Sequence, residues 1–158
     1  MKPVSQLTVR DLYDLMVARG DWARVVLNLP MMPNLNDALS EKGVGYRSGR
    51  SAYTDMAARA RSMVVIACRM QRIAPIPDGH AAWFWFRWRE TRMTRDPDNI
   101  AAAEKWVLDG LRDAGVLRND GWKHVAAPDG VPTLAHSFEH RRGESSGVAV
   151  DIYWGASH

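Results

Sequence analysis

Cysteine is nearly absent. Cys68 is the only one, so no disulfide can form within the chain, and a reducing compartment fits. Long apolar runs are absent as well: none approaches the ~18 residues of a membrane-spanning helix, which argues against insertion in a bilayer. The opening "MKPVSQLTVRDLYDLM" lacks the apolar core of a secretory signal. The expectation is a cytoplasmic protein with no membrane partner. Lysine is scarce, at 4 residues against 17 arginines. Arginine is the better fork for phosphate and stacks on bases, although a GC-rich genome also favours its codons. The net charge of +3 permits nucleic-acid binding without demanding it. Internal repeats and low-complexity segments are absent too.

What remains is an ordinary globular composition over 158 residues, enough for one domain with a sizeable core. "LTVRDLYDLMVARG" spaces Leu12, Leu15 and Met16 for a short helix that stops at Gly20. "ARVVLNLP" reads as a first strand. "MMPNLNDALSEKGVGYRSGR" reads as a long loop carrying Arg47 and Arg50. A helix then starts at Ser51 as N-cap, with Met56, Met63, Ile66, Ala67 and Met70 near one face and Pro75 and Pro77 beyond its end. "AAWFWFRWRETR" alternates Trp83, Trp85 and Arg87 with Phe84, Phe86 and Trp88. Apolar residues on both sides imply a central or interface strand. "TLAHSFEHRR" and "GVAVDIYWG", joined through "GESS", read as a terminal hairpin. The expected fold is a single-domain α+β arrangement, a mixed sheet packed with two main helices plus a short N-terminal helix.

The stretch from Arg95 to Asp120 raises the functional question. Asp96 precedes Pro97, so it reads as an N-cap whose carboxylate accepts a first-turn N–H, with Asp98 in that turn. At ~100° per residue, Ile100, Ala103, Val107, Leu111 and Ala114 share one face. Asp98, Ala102, Lys105, Asp109 and Arg112 share the opposite one. Gly115 supplies a left-handed stop, followed by an apolar contact from Val116. One reading is a capped surface helix with a Lys105–Asp109 pair on its solvated face. The other is a catalytic face, with Lys105 leaning back towards the carboxylates. Periodicity does not say whether Asp120 returns to the helix start.

The elements "DPDNI", "EK", "DGL", "DAGV" and "ND" follow one another within about 26 residues. This block resembles the RusA-like family of Holliday-junction-resolving endodeoxyribonucleases. The resemblance implies residues 1–22 as an N-terminal helical extension and residues 23–158 as the endonuclease domain. It implies Asp96, Asp98 and Asp120 as metal-binding catalytic carboxylates and Lys105 as a catalytic lysine. Two departures stand out: Asn119 replaces the first member of an Asp-Asp pair, and some family members place the lysine nearer the Asp-Asn, where this chain has Ala102.

That residue set suits phosphodiester hydrolysis. Carboxylates alone repel DNA; with Mg²⁺, or Mn²⁺ as a substitute, they become a hard-oxygen site for a phosphate. Phosphate contacts are expected from Arg47, Arg50, Arg87, Arg89, Arg92 and Arg95. The expected partners are branched DNA and a second copy of the chain, because a four-way junction is two-fold symmetric and one site makes one cut. The aromatic strand Ala82–Trp88 and the segment with Tyr153 and Trp154 are the expected dimer contact. The alternatives are a broader flap or branched-DNA nuclease, and a junction-binding protein of the same fold that no longer cleaves. His136 and His140 read as β-face histidines, Cys68 as a packed thiol, and Gly43–Gly45 lacks a phosphate-loop context.

Overall fold

In this computed structural model, residues 3, 6–18, 22–33 and 46–156 are described, with side chains for all of these except 16, 17 and 46–52. The chain runs α1 (Val9–Ala18), β1 (Trp22–Pro30), α2 (Tyr46–Met70), β2 (His80–Glu90), α3 (Pro97–Ala101), α4 (Glu104–Asp113), β3 (Leu134–His140) and β4 (Gly147–Ala156). The four strands form one mixed sheet in the order β1-β4-β2-β3. β4 is antiparallel to both β1 and β2, and β3 is parallel to β2. The fold is a single-domain α+β arrangement, as the element pattern implied.

Strand alternation sorts the core into two faces. Phe84, Phe86 and Trp88 point one way, joined by Leu27, Leu29, Val148, Val150 and Ile152. Ala60, Val64, Ala67 and Cys68 of α2 and Trp106, Val107 and Leu111 of α4 cover them. On the other face Trp83 and Tyr153 stack at 5.8 Å and are covered by Tyr13 of α1, whose hydroxyl donates to the Pro132 carbonyl at 2.6 Å. The aromatic strand is therefore core. Trp83, Phe84 and Phe86 are fully buried within one chain, as is Tyr153, so they are not free to form the dimer contact expected of them.

Three other expectations change. The final two strands are not a hairpin, because β2 lies between them. β4 is buried along nearly its whole length, whereas β3 is exposed over its last three residues. A strand that is apolar on both faces takes the interior of the sheet, and the half-polar one takes the edge. α2 begins at Tyr46 instead of Ser51, which puts Arg47 and Arg50 in its first turns. Gly49 there costs about 1 kcal/mol relative to Ala, which a long packed helix tolerates. Finally, Ile66 and Met70 are exposed at 55% and 79%, and the buried face of α2 runs through Ala60, Val64 and Ala67 instead. Small residues win that face because α4 packs closely. A Cβ on Gly110 of α4 would sit 2.5 Å from the Val64 Cβ.

The rest of the 31–50 loop expected from the sequence, residues 34–45 with Gly43–Gly45, lies outside the described residues.

Candidate functional site

Each end of the central strand β2 carries part of the expected site. At its C-terminal end, Glu90 ion-pairs with Arg95, and Arg95 also donates to the Met32 carbonyl at 2.9 Å. This clamp ties the turn after β2 to the segment leaving β1. The 141–146 connection crosses the same end. Arg141 N–H donates to the Glu90 carbonyl at 2.9 Å, and Thr91 N–H donates to the Ser146 hydroxyl at 3.1 Å. His140 bonds the Thr91 carbonyl through Nε2 at 3.1 Å. The chain then enters α3 through Asp96 and Pro97.

Asp96 has the extended backbone of an N-cap (φ −72°, ψ 142°), but its carboxylate accepts no first-turn N–H. The capping role expected of that side chain is not met. Proline at the first helical position fixes the entry and needs no acceptor for its missing N–H. Asp96 and Asp98 are both exposed. Neither carboxylate has a hydrogen-bond or ion-pair partner among the described residues. Among the described residues, then, the two carboxylates stand open to solvent at the start of α3, one residue apart, as candidate hard-oxygen donors.

The helix behind them is not continuous. Ala102 and Ala103 stay in the right-handed region, but Ala103 N–H bonds Ile100 at 3.1 Å, a tighter turn that divides α3 from α4. The apolar face holds as expected at Ile100, Ala103, Val107 and Leu111, and gains Trp106, a buried residue that the expected stripe did not include. Gly115 takes φ +74°, and Val116 behind it is buried. Lys105 pairs with Asp109 at 3.5 Å, towards the C-terminus, and does not lean back to Asp98.

Asp120 lies at the other end of the sheet. Asn119 Oδ1 accepts the Gly121 N–H at 3.0 Å, and the Gly121 carbonyl accepts from His124 and Val125 at 2.8 and 2.9 Å. Val125 then bridges Ala82 at the start of β2. From Ala82 to Glu90 the strand extends about 26 Å at ~3.3 Å per residue. Asp120 instead faces Arg112 at 3.7 Å. Among the described residues no three His, Cys, Asp or Glu side chains converge to hold a metal ion. The expected trio of Asp96, Asp98 and Asp120 is thus not brought together within one chain. After Gly115 the chain runs beside the α2–β2 connection, where the Val116 carbonyl accepts the Ile76 N–H at 2.9 Å, and then meets β2 at Ala82.

The expected DNA-binding arginines divide. Arg87 donates to buried Asp151 at 2.5 and 3.2 Å, and Arg24 shares that carboxylate at 3.4 Å. Arg89 donates to the Ser145 carbonyl at 2.9 Å, and Arg95 is held in its clamp. These three hold the fold together. The side chains of Arg47 and Arg50 lie outside the described residues. Arg92 is exposed with no partner among the described residues, and so is Arg142, which sequence reasoning passed over. Only the crossing of the 141–146 connection over β2 puts Arg142 near this end of the sheet, and a hairpin reading hides that.

His136 is the most constrained polar group nearby. Trp88 Nε1–H donates to its Nδ1 at 2.9 Å, and its Nε2 meets Glu104 at 2.5 Å. An indole nitrogen only donates, so Nδ1 is the acceptor and the proton sits on Nε2, by the logic of the hydrogen bonds. Stacked on Phe86 at 5.1 Å, the ring ties the start of α4 to the edge strand. It is a β-face histidine, as expected. Burial pushes the Cys68 thiol up to about 11, which keeps it protonated and inert at neutral pH.

No helix among the described residues is long and apolar enough to cross a membrane. The chain matches no family model, and no curated protein matches it.

Proposed function

We propose that this chain is a metal-dependent, structure-specific endodeoxyribonuclease of the RusA-like kind that resolves four-way DNA junctions as a homodimer. The observation that carries the reading is the pair Asp96 and Asp98, exposed and without a side-chain partner among the described residues, braced after the central strand within the "DPDNI" block. The helix N-terminus offsets part of the repulsion between the two neighbouring carboxylates, and a bound cation would offset the rest. Mg²⁺ suits such a pair, since it is commonly held by one or two carboxylates, waters and substrate phosphates instead of a full protein cage. When bound it would polarise the phosphoryl group and supply a hydroxide. The chain's own part is to hold Asp96 and Asp98 still through Pro97 and the Arg95–Glu90 clamp. Exposed Arg92 and Arg142 would take the flanking phosphates. Lys105, side-chain exposure 72%, is free to exchange Asp109 for a phosphate oxygen.

A cleavage-deficient junction binder is the second reading, motivated by Asn119. Its Oδ1 accepts a backbone N–H to close the turn, a job that aspartate does equally well, so the replacement carries no sign of lost chemistry. Labelled four-way junction, flap and linear duplex, each with Mg²⁺ or EDTA, separate these readings. The proposal expects cutting of the junction, only with the cation. Cutting of flaps in preference to junctions moves the activity to the broader nuclease class. Cation-independent binding with no cutting favours the degenerate protein.

A further inference from the structure

Trp122 is 82% exposed, although it sits on one of the better-fixed turns in the molecule. Asn119, Gly121, His124 and Val125 close that turn by hydrogen bonds, and two more bonds lock it to β2. Ala82 N–H donates to the His124 carbonyl at 2.8 Å, and Ala126 N–H donates to the Ala82 carbonyl at 3.0 Å. A large apolar ring is thus held in water by a rigid backbone. That costs hydrophobic free energy and earns no packing, the mark of a surface that meets something.

Beside it lies a cavity of about 430 Å³ lined by Trp122, Trp22, Lys123, Ala127, Pro128 and Asp129 among others. Trp22 is a fixed wall. Its ring packs edge-on to Trp83 at 4.5 Å and lies so close over Gly155 that a Cβ there would be 1.6 Å from it. The volume falls in the range of small-ligand pockets, roughly 300–1,000 Å³. It is too small for a helix or a protein loop and suits one flat heterocycle. The polar groups differ in sign: Lys123 suits a phosphate, and Asp129 suits the amino edge of a base.

We propose that Trp122, Lys123 and this cavity form a stacking subsite for an unpaired nucleobase of a nucleic-acid strand, with Lys123 on the neighbouring phosphate. The inference rests on the nucleic-acid reading above and adds a second contact, at the opposite end of β2 from Asp96 and Asp98. Base–aromatic stacking is sequence-tolerant, because every base presents a π-face. Branched DNA supplies unstacked bases at its branch point. Because the subsite is remote from the carboxylates, it acts on affinity and not on the cutting step.

The test uses the full chain and a dT8 oligonucleotide as probe, followed by fluorescence anisotropy, with junction cutting measured in parallel. Trp122→Ala should weaken dT8 binding about 10-fold, and Trp122→Phe should stay within about 3-fold of wild type. Lys123→Ala should lower the slope of log affinity against log salt by about one. Trp122→Ala should cut junctions at the wild-type rate when DNA is saturating. Unchanged dT8 affinity in Trp122→Ala, beside a wild type that binds and cuts junctions, overturns the subsite alone. A wild type that binds neither dT8 nor junctions overturns both the subsite and the nuclease reading. Loss of a dimer in Trp122→Ala, with dT8 affinity intact, overturns the subsite and reassigns the ring to self-association.

Discussion

Arg72 holds φ at +54°, the one non-glycine residue with positive φ among those described. It closes α2: Ile73 N–H reaches back to the Cys68 carbonyl at 2.9 Å, and Arg72 N–H reaches Arg69 at 3.2 Å. Gln71 beside it pairs both amide groups with the Asn28 backbone, at 2.8 and 2.7 Å, and so blocks the free edge of β1. The left-handed conformation costs a side-chain-bearing residue about 1–2 kcal/mol. Glycine removes that strain and returns part of it as unfolded-state entropy. Arg72→Gly should therefore stabilise by roughly 0.5–1 kcal/mol and raise the melting temperature by about 2–3 °C. A thermal melt followed by circular dichroism checks it, and a lower midpoint would mean that the arginine side chain contributes more than its backbone costs.

Between helices, α2 packs closely on α4 at Gly110. A Cβ there meets Val64 at 2.5 Å, well inside van der Waals separation, and both neighbours are backbone-anchored. Gly110→Ala should destabilise by about 1–3 kcal/mol through overpacking, despite alanine's better helix propensity. Val64→Ala made in the same chain should recover much of that loss, although alone it opens a cavity. Urea unfolding of the two single variants and the double variant gives the coupling, and strict additivity would contradict the contact. At this scale the sequence is readable wherever the signal is periodic and local. The stripe from Ile100 to Leu111 and the alternation through Trp83–Trp88 both appear in the fold. What failed depended on partners distant in sequence. "GESS" looks like a hairpin loop, yet the connection 141–146 that contains it crosses over β2, and only the run of apolar residues in "GVAVDIYWG", broken by Asp151 alone, hinted that β4 sits inside the sheet. Asp96 and Asp98 were legible as a pair because only Pro97 separates them. Asp120 was not, because its position depends on how the chain packs after Gly115.

Over the whole molecule, the two proposed sites lie at opposite ends of the sheet, with a buried aromatic middle between them. Trp83 and Tyr153, expected at the dimer contact, are buried inside one chain, so the proposed dimer would need another surface. The account still requires two copies, since paired nicks on a two-fold substrate need two sites. Light scattering should give a mass near twice 17.8 kDa, and a mass of one chain for a protein that makes paired cuts would defeat that requirement. The central claim is chemical, however, and rests on Asp96 and Asp98. Its most direct test is the rate of four-way junction cleavage by wild type and by Asp98→Asn, with Mg²⁺ and with EDTA, beside a gel shift of the same substrate. The account predicts cleavage by wild type with Mg²⁺ only. It predicts at least a 100-fold slower rate for Asp98→Asn, on the order of the loss of a group that stabilises transition-state charge, with junction binding retained or tightened as repulsion of phosphate falls. Equal cleavage by the two proteins, or cleavage by wild type in EDTA, would contradict it.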